Sequence, residues 1–286
     1  MIVMEPMFSI LVVCLNPGGK IKETLRTIAV QNDKDYEVII KDGFSTDGSL
    51  AFLEAVHEEE KEGGTGIIEN LPFRLVRKKD TGIYDAMNQA VREAKGKYVY
   101  FLNCGDLFAH PDVLADFHKL IVTNPAERGI YYGNICTRET GEMVPSNPQM
   151  DAFGCYRNVP CHQACFYDRE LLLAHPFETK YRVRADYEHF LWCFFTKEAP
   201  GKVSFIYGNI VTAYYESGGF SERKENRKVS AEEHRKIVRK YMSPGQIWKY
   251  RMIMWMTLAP LRTWLAKNPR TSGYYNKLKK KIYEKG

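Results

Sequence analysis

Carboxylate and amide side chains end two apolar runs in this sequence, and this chemistry suits a phosphate group held through a metal ion. The run Tyr98–Leu102 ends in Asn103–Asp106, and the run Tyr36–Ile40 is followed by Lys41 and Asp42. A carboxylate repels a bare phosphate, so a divalent cation is needed between the two. Neither GxGxxG nor GxxxxGK[ST] follows the first apolar run, which argues against dinucleotide-binding and P-loop sites.

Alternating strand and helix signals place these side chains at one edge of a parallel sheet. We predict strands at Phe8–Cys14, Tyr36–Ile40, Phe73–Arg77 and Lys97–Leu102, and helices at Ile21–Gln31, from Ser49 to about His57, and at Ile83–Ala94. The alternation predicts an α/β fold with right-handed crossovers. The polar groups around Asn16, Asp42–Asp47 and Asn103–Asp106 then share the carboxyl edge, where open α/β sheets bind ligands.

The bulk composition indicates a globular chain with reduced cysteines. At 286 residues and 44% hydrophobic content, the chain can bury a substantial core. Its seven cysteines are an odd number without CxxC spacing, so we expect free thiols and a cytoplasmic location. The segment Cys161–Cys165 contains two thiols and an imidazole but lacks the second cluster of a zinc site, which favours ordinary buried thiols.

The order of the motifs resembles a known family. SILVVCLN, VIIKDGFSTDGSL, DTGIYDAMNQAVREAKGKYVYFLNCGD, HQACFY and RADYEHFL follow one another as in family 2 of the nucleotide-sugar glycosyltransferases, which have the GT-A fold. The chain is most similar to the branch acting in bacterial exopolysaccharide and colanic-acid-type assembly. The resemblance covers about Phe8 to Ser221 and implies an α/β GT-A fold, with a Rossmann-like, mostly parallel central sheet flanked by helices.

The resemblance also implies a domain organisation. We predict a GT-A domain over residues 1–221, with a nucleotide-sugar half over about 1–110 and an acceptor half over about 111–221. A basic, amphipathic helical tail is predicted over residues 222–286.

The resemblance implies which side chains face the donor. The family has an acidic residue that recognises the nucleobase or ribose where this chain has Asp42, and Asp80 matches a third donor-facing acid. Asp106 is the only carboxylate in the segment that matches the family's D-x-D motif, so it is predicted to ligate Mg²⁺ or Mn²⁺. Asn16 and Asn103 are expected beside the donor. The alternative for Asp106 is a cap on the following helix.

A separate carboxylate is implied as the catalytic base. Asp186 aligns with the family's catalytic carboxylate, where it would act as a base and take the proton of an acceptor hydroxyl. One base, one metal and no nucleophile imply inversion at the sugar. The alternative for Asp186 is a helix N-cap, and Glu188 is the second candidate for the base or for a sugar contact.

Three further segments match the family less specifically. His162 and Gln163 match a pair that the branch places near the acceptor or donor sugar, although a single histidine is more often structural. Residues 214–221 resemble a segment that closes the donor site. The family usually has an arginine before the asparagine of this helix, whereas this chain has Met87 before Asn88. The chain therefore departs from the family pattern near the diphosphate.

The C-terminal region carries most of the positive charge. From Glu222 onward there are 18 Lys and Arg against 5 Asp and Glu, a net charge of +13, whereas the preceding residues carry −7. The uncharged run Met252–Leu261 is too short to cross a bilayer, which takes about 20 residues. Tryptophans interleaved with basic residues suit lipid headgroups, so we expect peripheral binding to the inner face of the plasma membrane. The alternative is a helix packed on the body or on another subunit.

These features predict a metal-dependent, inverting hexosyl- or N-acetylhexosaminyl-transferase. It would move a sugar from a nucleotide-diphosphate donor, with UDP the expected nucleotide, to a hydroxyl of a lipid-linked or polysaccharide acceptor. The alternative is a nucleotide-sugar-binding protein that keeps the GT-A fold without turnover. Nucleic acid is not an expected partner, because the body is acidic and carries no nucleic-acid module. The sequence indicates no particular oligomeric state.

Overall fold

A mixed sheet positions the side chains singled out above. The computed structural model describes residues 5–53, 68, 71–216 and 224–257. The strands of this part are β1 (Phe8–Cys14), β2 (Tyr36–Asp42), β3 (Phe73–Arg77), β4 (Tyr98–Phe101), β5 (Leu107–Phe108), β6 (Arg128–Thr137), β7 (Met143–Val144), β8 (Cys165–Asp168) and β9 (Val203–Tyr215). The helices are α1 (Lys20–Ala29), α2 (Ile83–Glu93), α3 (Val113–Thr123), α4 (Ala152–Arg157), α5 (Arg169–Ala174), α6 (Ala185–Phe195), α7 (Lys224–Tyr241) and α8 (Pro244–Met256), with a 3₁₀ turn at His162–Ala164.

The sheet has a parallel half and a mixed half. Its strand order is β3-β2-β1-β4-β8-β6-β9-β5, with β7 paired to β6. Strands β3, β2, β1 and β4 are parallel to one another. Strand β8 runs antiparallel to both of its neighbours, β4 and β6, while β6 and β9 are parallel. The predicted α/β class is therefore confirmed, whereas strands β5 to β9, including the antiparallel β8, were not among the four strands that the sequence patterns predicted.

The core lies where uniformly apolar strands are covered on both faces. Every residue of β1 and β4 is buried, as expected for central strands of a parallel sheet. On β4, the Tyr100 ring stacks on Phe166 of β8 with centroids 4.5 Å apart. Helix α2 turns Ala90 and Val91 toward the sheet. This packing fixes where β4 ends and therefore where Asn103 emerges.

The observed elements agree closely with the predicted ones in this half. β1 and β3 have the predicted bounds, and β2 continues to Asp42 instead of ending at Ile40. The helix predicted from Ser49 is helical over residues 51–53. Its predicted end and the predicted charged loop that follows lie outside the described residues.

The chain divides into two compact units, Met1–Arg235 and Lys236–Gly286. The predicted boundary between residues 221 and 222 falls among residues 217–223, which the structure does not describe, so it stays a prediction. In the described part of the C-terminal region the predicted helices are present as α7 and α8, and Ser243 and Gln246 form a capping box at the start of α8. Among the helices of the described ranges, none is both long enough and apolar enough to cross a bilayer.

Candidate active site

The carboxyl ends of β1 and β4 form the expected ligand-binding edge. After β1 the chain passes to β2 and β3 on one side, and β4 adds on the other side of β1. Strand order therefore reverses between β1 and β4, which is where open α/β sheets bind ligands. Asn16 follows β1 and Asn103 follows β4, so both lie at this switch point.

The Asp42 carboxylate is held inside the protein at the end of β2. The residue is fully buried, and its Oδ2 lies 3.0 Å from Nε of Arg77. Its Oδ1 accepts hydrogen bonds from the backbone N–H and the hydroxyl of Ser45, at 2.9 and 2.6 Å. Both oxygens therefore have donors, and Asp42 shapes the loop after β2. A ligand that binds this carboxylate directly must compete with Arg77.

Asp80 is paired with a buried lysine. Nζ of Lys41, which is fully buried, donates to Oδ2 of Asp80 at 2.9 Å and to the Lys78 carbonyl at 2.6 Å. The other Asp80 oxygen accepts from the N–H of Gly82, just before α2. A Cβ at Gly43 would approach Asp80 Oδ2 to 2.8 Å, so glycine permits the close contact between these two loops.

The loops after β1 and β2 are tied together by hydrogen bonds. The N–H of Asn16 donates to the Ser45 hydroxyl, and the Asn16 side-chain oxygen accepts from the N–H of Thr46, both at 2.8 Å. Asn16 has a φ of 49°, a conformation that asparagine tolerates better than most residues. Asp47 accepts from the N–H of Gly18 at 3.0 Å. Asn16, Asp42 and Asp80 therefore lie in one set of cross-linked loops.

Asp106 lies at the opposite side of the switch point, largely buried. One carboxylate oxygen accepts from the N–H of Glu216 at 3.1 Å, and the other from Nε2 of Gln163 at 3.3 Å. Burial is the main cause that raises the pKa of the Asp106 carboxyl above its ordinary value. The N-cap position of the following helix, α3, is Asp112, so the alternative of Asp106 as its cap is wrong.

His162 connects Asn103 to Asp186. Nδ2 of Asn103 lies 2.9 Å from His162 Nε2, and His162 Nδ1 lies 3.3 Å from Asp186 Oδ2. An amide N–H donating to Nε2 leaves the imidazole proton on Nδ1, which then donates to the Asp186 carboxylate. The 3₁₀ turn that carries His162 also carries Gln163, which bonds Asp106. The structure thus brings Asn103, Asp106, His162, Gln163 and Asp186 into one group.

The Asp186 carboxylate is a defined acceptor at the start of α6. Its Oδ1 accepts from the Tyr84 hydroxyl and from the N–H of Tyr187, both at 2.9 Å. Burial acts to raise the pKa of Asp186, but the hydrogen bond and electrostatic interaction with His162 and the bond from Tyr84 outweigh it and lower the pKa. The helix N-cap is Arg184, so the alternative of Asp186 as N-cap is wrong.

The residues beside β4 fit a hard divalent cation. The Asn103 side-chain oxygen is buried and has no hydrogen-bond partner among the described residues, and a buried polar atom of this kind costs free energy unless a ligand satisfies it. The desolvated Asp106 carboxylate offers the charge that Mg²⁺ or Mn²⁺ prefers. A hydrogen bond with Cys14 and burial raise the pKa of Cys104, which favours packing over metal ligation for this thiol.

Glu188 is not brought to this group. Its carboxylate is fully buried and lies 2.9 Å from Nε2 of His175. Within the part of the chain that the structure describes, His175, Glu178 and Glu188 form the one His, Cys, Asp and Glu cluster compact enough for a metal ion. Glu178 also pairs with Lys180, and the His175 ring stacks on Trp192. The three side chains of this cluster are therefore already engaged in ion pairs and ring contacts within the protein.

Two side chains acquire roles that the sequence patterns did not assign. Tyr84 lies within the quoted family segment, yet its hydroxyl reaches Asp186 from a distant part of the chain. Asn88 bonds the backbone of Phe177 in both directions, at 2.8 and 2.9 Å, so it anchors the segment before α6. An amide side chain exchanging two bonds with one backbone residue is a structural clamp. The sequence indicated neither contact, and the one hint was that both residues lie in a segment that resembles the family.

Comparisons with known proteins identify the family of this chain. The profile described as Glycosyl transferase family 2 matches residues 9–166. A Mycobacterium bovis protein named PGL/p-HBAD biosynthesis glycosyltransferase is 33% identical over 220 residues, which is 76% of this chain and 79% of the relative.

Two solved structures share the fold at low sequence identity. Mannosyltransferase PcManGT from Pyrobaculum calidifontis, in complex with GDP-Man and Mn²⁺, has 19% identity and a TM-score of 0.59, over 98% of this chain and 81% of that one. S. aureus TarS 1-349 in complex with UDP has 18% identity and a TM-score of 0.57, over 93% and 74%. The predicted GT-A fold is confirmed, and the chain belongs to glycosyl transferase family 2.

Proposed function

We propose that this glycosyltransferase is inverting and metal-dependent, and that it uses a UDP-linked hexose or N-acetylhexosamine. The observation that carries the proposal is the group formed by Asn103, Asp106, His162, Gln163 and Asp186, which joins a candidate metal ligand to a candidate base. A transfer that inverts the sugar needs one base on the face opposite the leaving group and no protein nucleophile.

Asp186 acts as the general base in this mechanism. Its side chain is 24% exposed, so an acceptor hydroxyl can reach it. The carboxylate takes the hydroxyl proton while the hydroxyl oxygen forms a bond to the anomeric carbon. The bond from that carbon to the diphosphate oxygen breaks, and the electron pair leaves with the nucleotide diphosphate. His162 and Tyr84 hold the carboxylate in place during this step.

Asn103 and Asp106 would hold the divalent cation. When bound, such a cation neutralises the charge that develops on a leaving diphosphate. The unpartnered Asn103 oxygen and the desolvated Asp106 carboxylate support this assignment. PcManGT is named with Mn²⁺, as is a glucosyl-3-phosphoglycerate synthase from Mycobacterium tuberculosis. Both are structural neighbours, so Mn²⁺ is the first ion to test, and Mg²⁺ is the second because it also prefers oxygen ligands.

The loops carrying Asn16, Asp42 and Asp80 would receive the nucleoside. Their mutual hydrogen bonds give a preformed surface beside the switch point, which reduces the ordering cost of binding. TarS is named with UDP and with UDP-GlcNAc, whereas PcManGT is named with GDP-Man. We propose UDP because the family's acid at the position of Asp42 typically recognises uracil or its ribose; here the nucleoside would compete with Arg77 for this carboxylate.

We propose that the acceptor is a lipid-linked glycan or polysaccharide of the cell envelope, made in bacterial exopolysaccharide assembly. We also propose that the protein binds peripherally to the cytoplasmic face of the plasma membrane. Trp248 and Trp255 of α8 are 67% and 69% exposed. They are seven positions apart, about two helical turns, so they share one face of the helix. Lys249 and Arg251 lie nearby in sequence, and each basic residue near an anionic surface contributes about 1 kcal/mol. Arg262 and Trp264 lie outside the described residues.

Co-sedimentation tests the membrane proposal. The full chain should bind anionic vesicles at low salt and lose binding at high salt, and the Trp248→Ala/Trp255→Ala variant should bind more weakly than the wild type at low salt. The Val122→Ala variant, which trims an exposed apolar residue of α3, is the control and should bind like the wild type. Equal and negligible binding to anionic and neutral vesicles would contradict the proposal and favour a packing or dimerisation role for the tail.

A donor screen tests the enzymatic proposal. UDP-sugars with Mn²⁺ should raise the melting temperature, because a ligand that binds only the folded state stabilises it. Turnover with an inverted anomeric configuration, read by NMR, should follow with a hydroxyl acceptor. Donor binding without turnover would instead support the alternative of a nucleotide-sugar-binding protein. Full activity in excess EDTA would exclude the metal role.

A further inference from the structure

A carboxylate on α7 binds three consecutive backbone amides just before α6. Glu233 is buried, and its two oxygens accept from the N–H of Arg182 at 2.7 Å and from the N–H groups of Val183 and Arg184 at 3.0 Å. Hydrogen bonds to an ionised acceptor are about twice as strong as neutral ones. One side chain therefore fixes the backbone of the segment 182–184.

This segment continues directly to the proposed base. The Val183 carbonyl accepts from the Tyr84 hydroxyl at 2.8 Å, and the same hydroxyl lies 2.9 Å from Asp186 Oδ1. A phenol has one proton, so the Val183 carbonyl and the Asp186 carboxylate compete for it. The position of the 183 peptide thus decides how much of this hydrogen bond Asp186 receives.

Helix α7 also holds the residues on either side of Asp186. The Ser230 hydroxyl accepts from Nε of Arg184 at 2.8 Å. The His234 ring stacks on Tyr187, with centroids 5.1 Å apart and planes 28° apart. Contacts before and after Asp186 therefore come from the same helix that presents Glu233.

We propose that Glu233 is a positioning residue that sets the orientation of Asp186 through the segment 182–184 and Tyr84. This inference rests on the proposed function, because it takes Asp186 as the base. A shift of about 1 Å in a reacting group can cost about 100-fold in rate. Residues of α7 therefore support the proposed base, although this helix follows the last strand of the sheet.

The test replaces Glu233 with glutamine and follows donor binding and turnover separately. A glutamine presents an N–H₂ group to backbone donors, so at least one of the three amides loses its acceptor. We expect kcat to fall about tenfold or more, with donor affinity within about twofold of wild type. The matched control is Glu232→Gln, which removes the same charge at the adjacent position and should keep wild-type kcat.

A double-mutant cycle separates positioning from general stabilisation. If Glu233 acts through Tyr84, then Glu233→Gln combined with Tyr84→Phe should lower kcat little more than the worse single variant. Should Glu233→Gln fail to fold, Glu233→Asp retains the charge but withdraws the carboxylate by one methylene, and it should show the same fall in kcat with donor affinity kept.

Two results would overturn the inference. Wild-type kcat in folded Glu233→Gln excludes a positioning role, and so do additive losses in the double variant. Asp186→Asn is measured in parallel: if it is inactive while Glu233→Gln is fully active, the inference fails and the proposed function stands. If Asp186→Asn is fully active, the proposed base itself is wrong.

Discussion

Replacing Asp186 with asparagine isolates the proposed base while sparing the surrounding structure. The Tyr84 hydroxyl and the Tyr187 N–H both donate to Oδ1, and an asparagine oxygen can accept both bonds. The new N–H₂ group would face His162, whose imidazole can move its proton to the other nitrogen. If the Asn103 oxygen stays at the proposed cation site, His162 loses one hydrogen bond, either to residue 186 or to the Asn103 amide.

The expected magnitudes follow from this rearrangement. One hydrogen bond is lost, so the free energy of unfolding should fall by about 1–2 kcal/mol. Loss of a general base lowers the rate by about 10²–10⁴-fold, which is about 3–5 kcal/mol in the activation barrier. Donor affinity should stay near wild type, because Asn103 and Asp106 keep their positions and the residues proposed for the nucleoside lie in other loops.

The assay measures nucleotide-diphosphate release at saturating donor and acceptor, beside donor affinity by calorimetry and melting temperature by calorimetric scan. The pKa of Asp186 is lowered, so the wild-type carboxylate is ionised throughout the neutral range and the comparison does not depend on a chosen pH. A folded Asp186→Asn variant with wild-type turnover would refute the assignment.

Three further outcomes test other parts of the site and core. Asp106→Asn should weaken Mn²⁺-dependent donor binding by more than the 10–100-fold typical of losing an outer-shell partner, as measured by titration with and without metal; unchanged metal dependence would exclude Asp106 as a ligand. Asp80→Ala should lower the free energy of unfolding by about 3–5 kcal/mol in urea, because it leaves the fully buried Lys41 charge without its carboxylate, and a loss below about 1 kcal/mol would show that backbone carbonyls suffice. Burial lowers the pKa of His189 to about 4 from 6.5, so the unfolded state binds the extra proton between these values and stability falls as pH drops through that window, by about 3 kcal/mol in total. His189→Asn should flatten this part of the stability profile, and an unchanged slope would assign it to other groups.

The sequence predicted the parallel half of the sheet well because its signals are local. Strand β1 is an apolar run and β3 is a short run of apolar and basic residues, and the predicted bounds of both match the structure. The edge that gathers Asn16, Asp42 and Asn103 follows from strand direction alone. Strand β8 was not predicted as antiparallel, because direction within a sheet depends on long connections and not on local pattern.

The site residues that the sequence predicted are those that motif spacing or the family resemblance could identify. Asp186 and Glu188 are two positions apart on α6, about 200° around the helix, so they point away from each other. This rule explains why Glu188 bonds His175 and not the group around Asp186. The contributions of Tyr84 and Glu233 depend on tertiary contacts between distant segments, and no local pattern carries that information.

The placement of β8 between β4 and β6 has a consequence for biosynthesis. Strand β4 is entirely apolar, and one of its edges pairs with β8. On the ribosome, β8 emerges about 60 residues after β4, a delay of several seconds at about 5–20 residues per second. During that interval the nascent chain presents an unpaired hydrophobic edge, which is a template for aggregation. Fragments that stop between β4 and β8 should therefore be insoluble or bound to chaperones, whereas chains extended past Asp168 can pair this edge of β4 with β8.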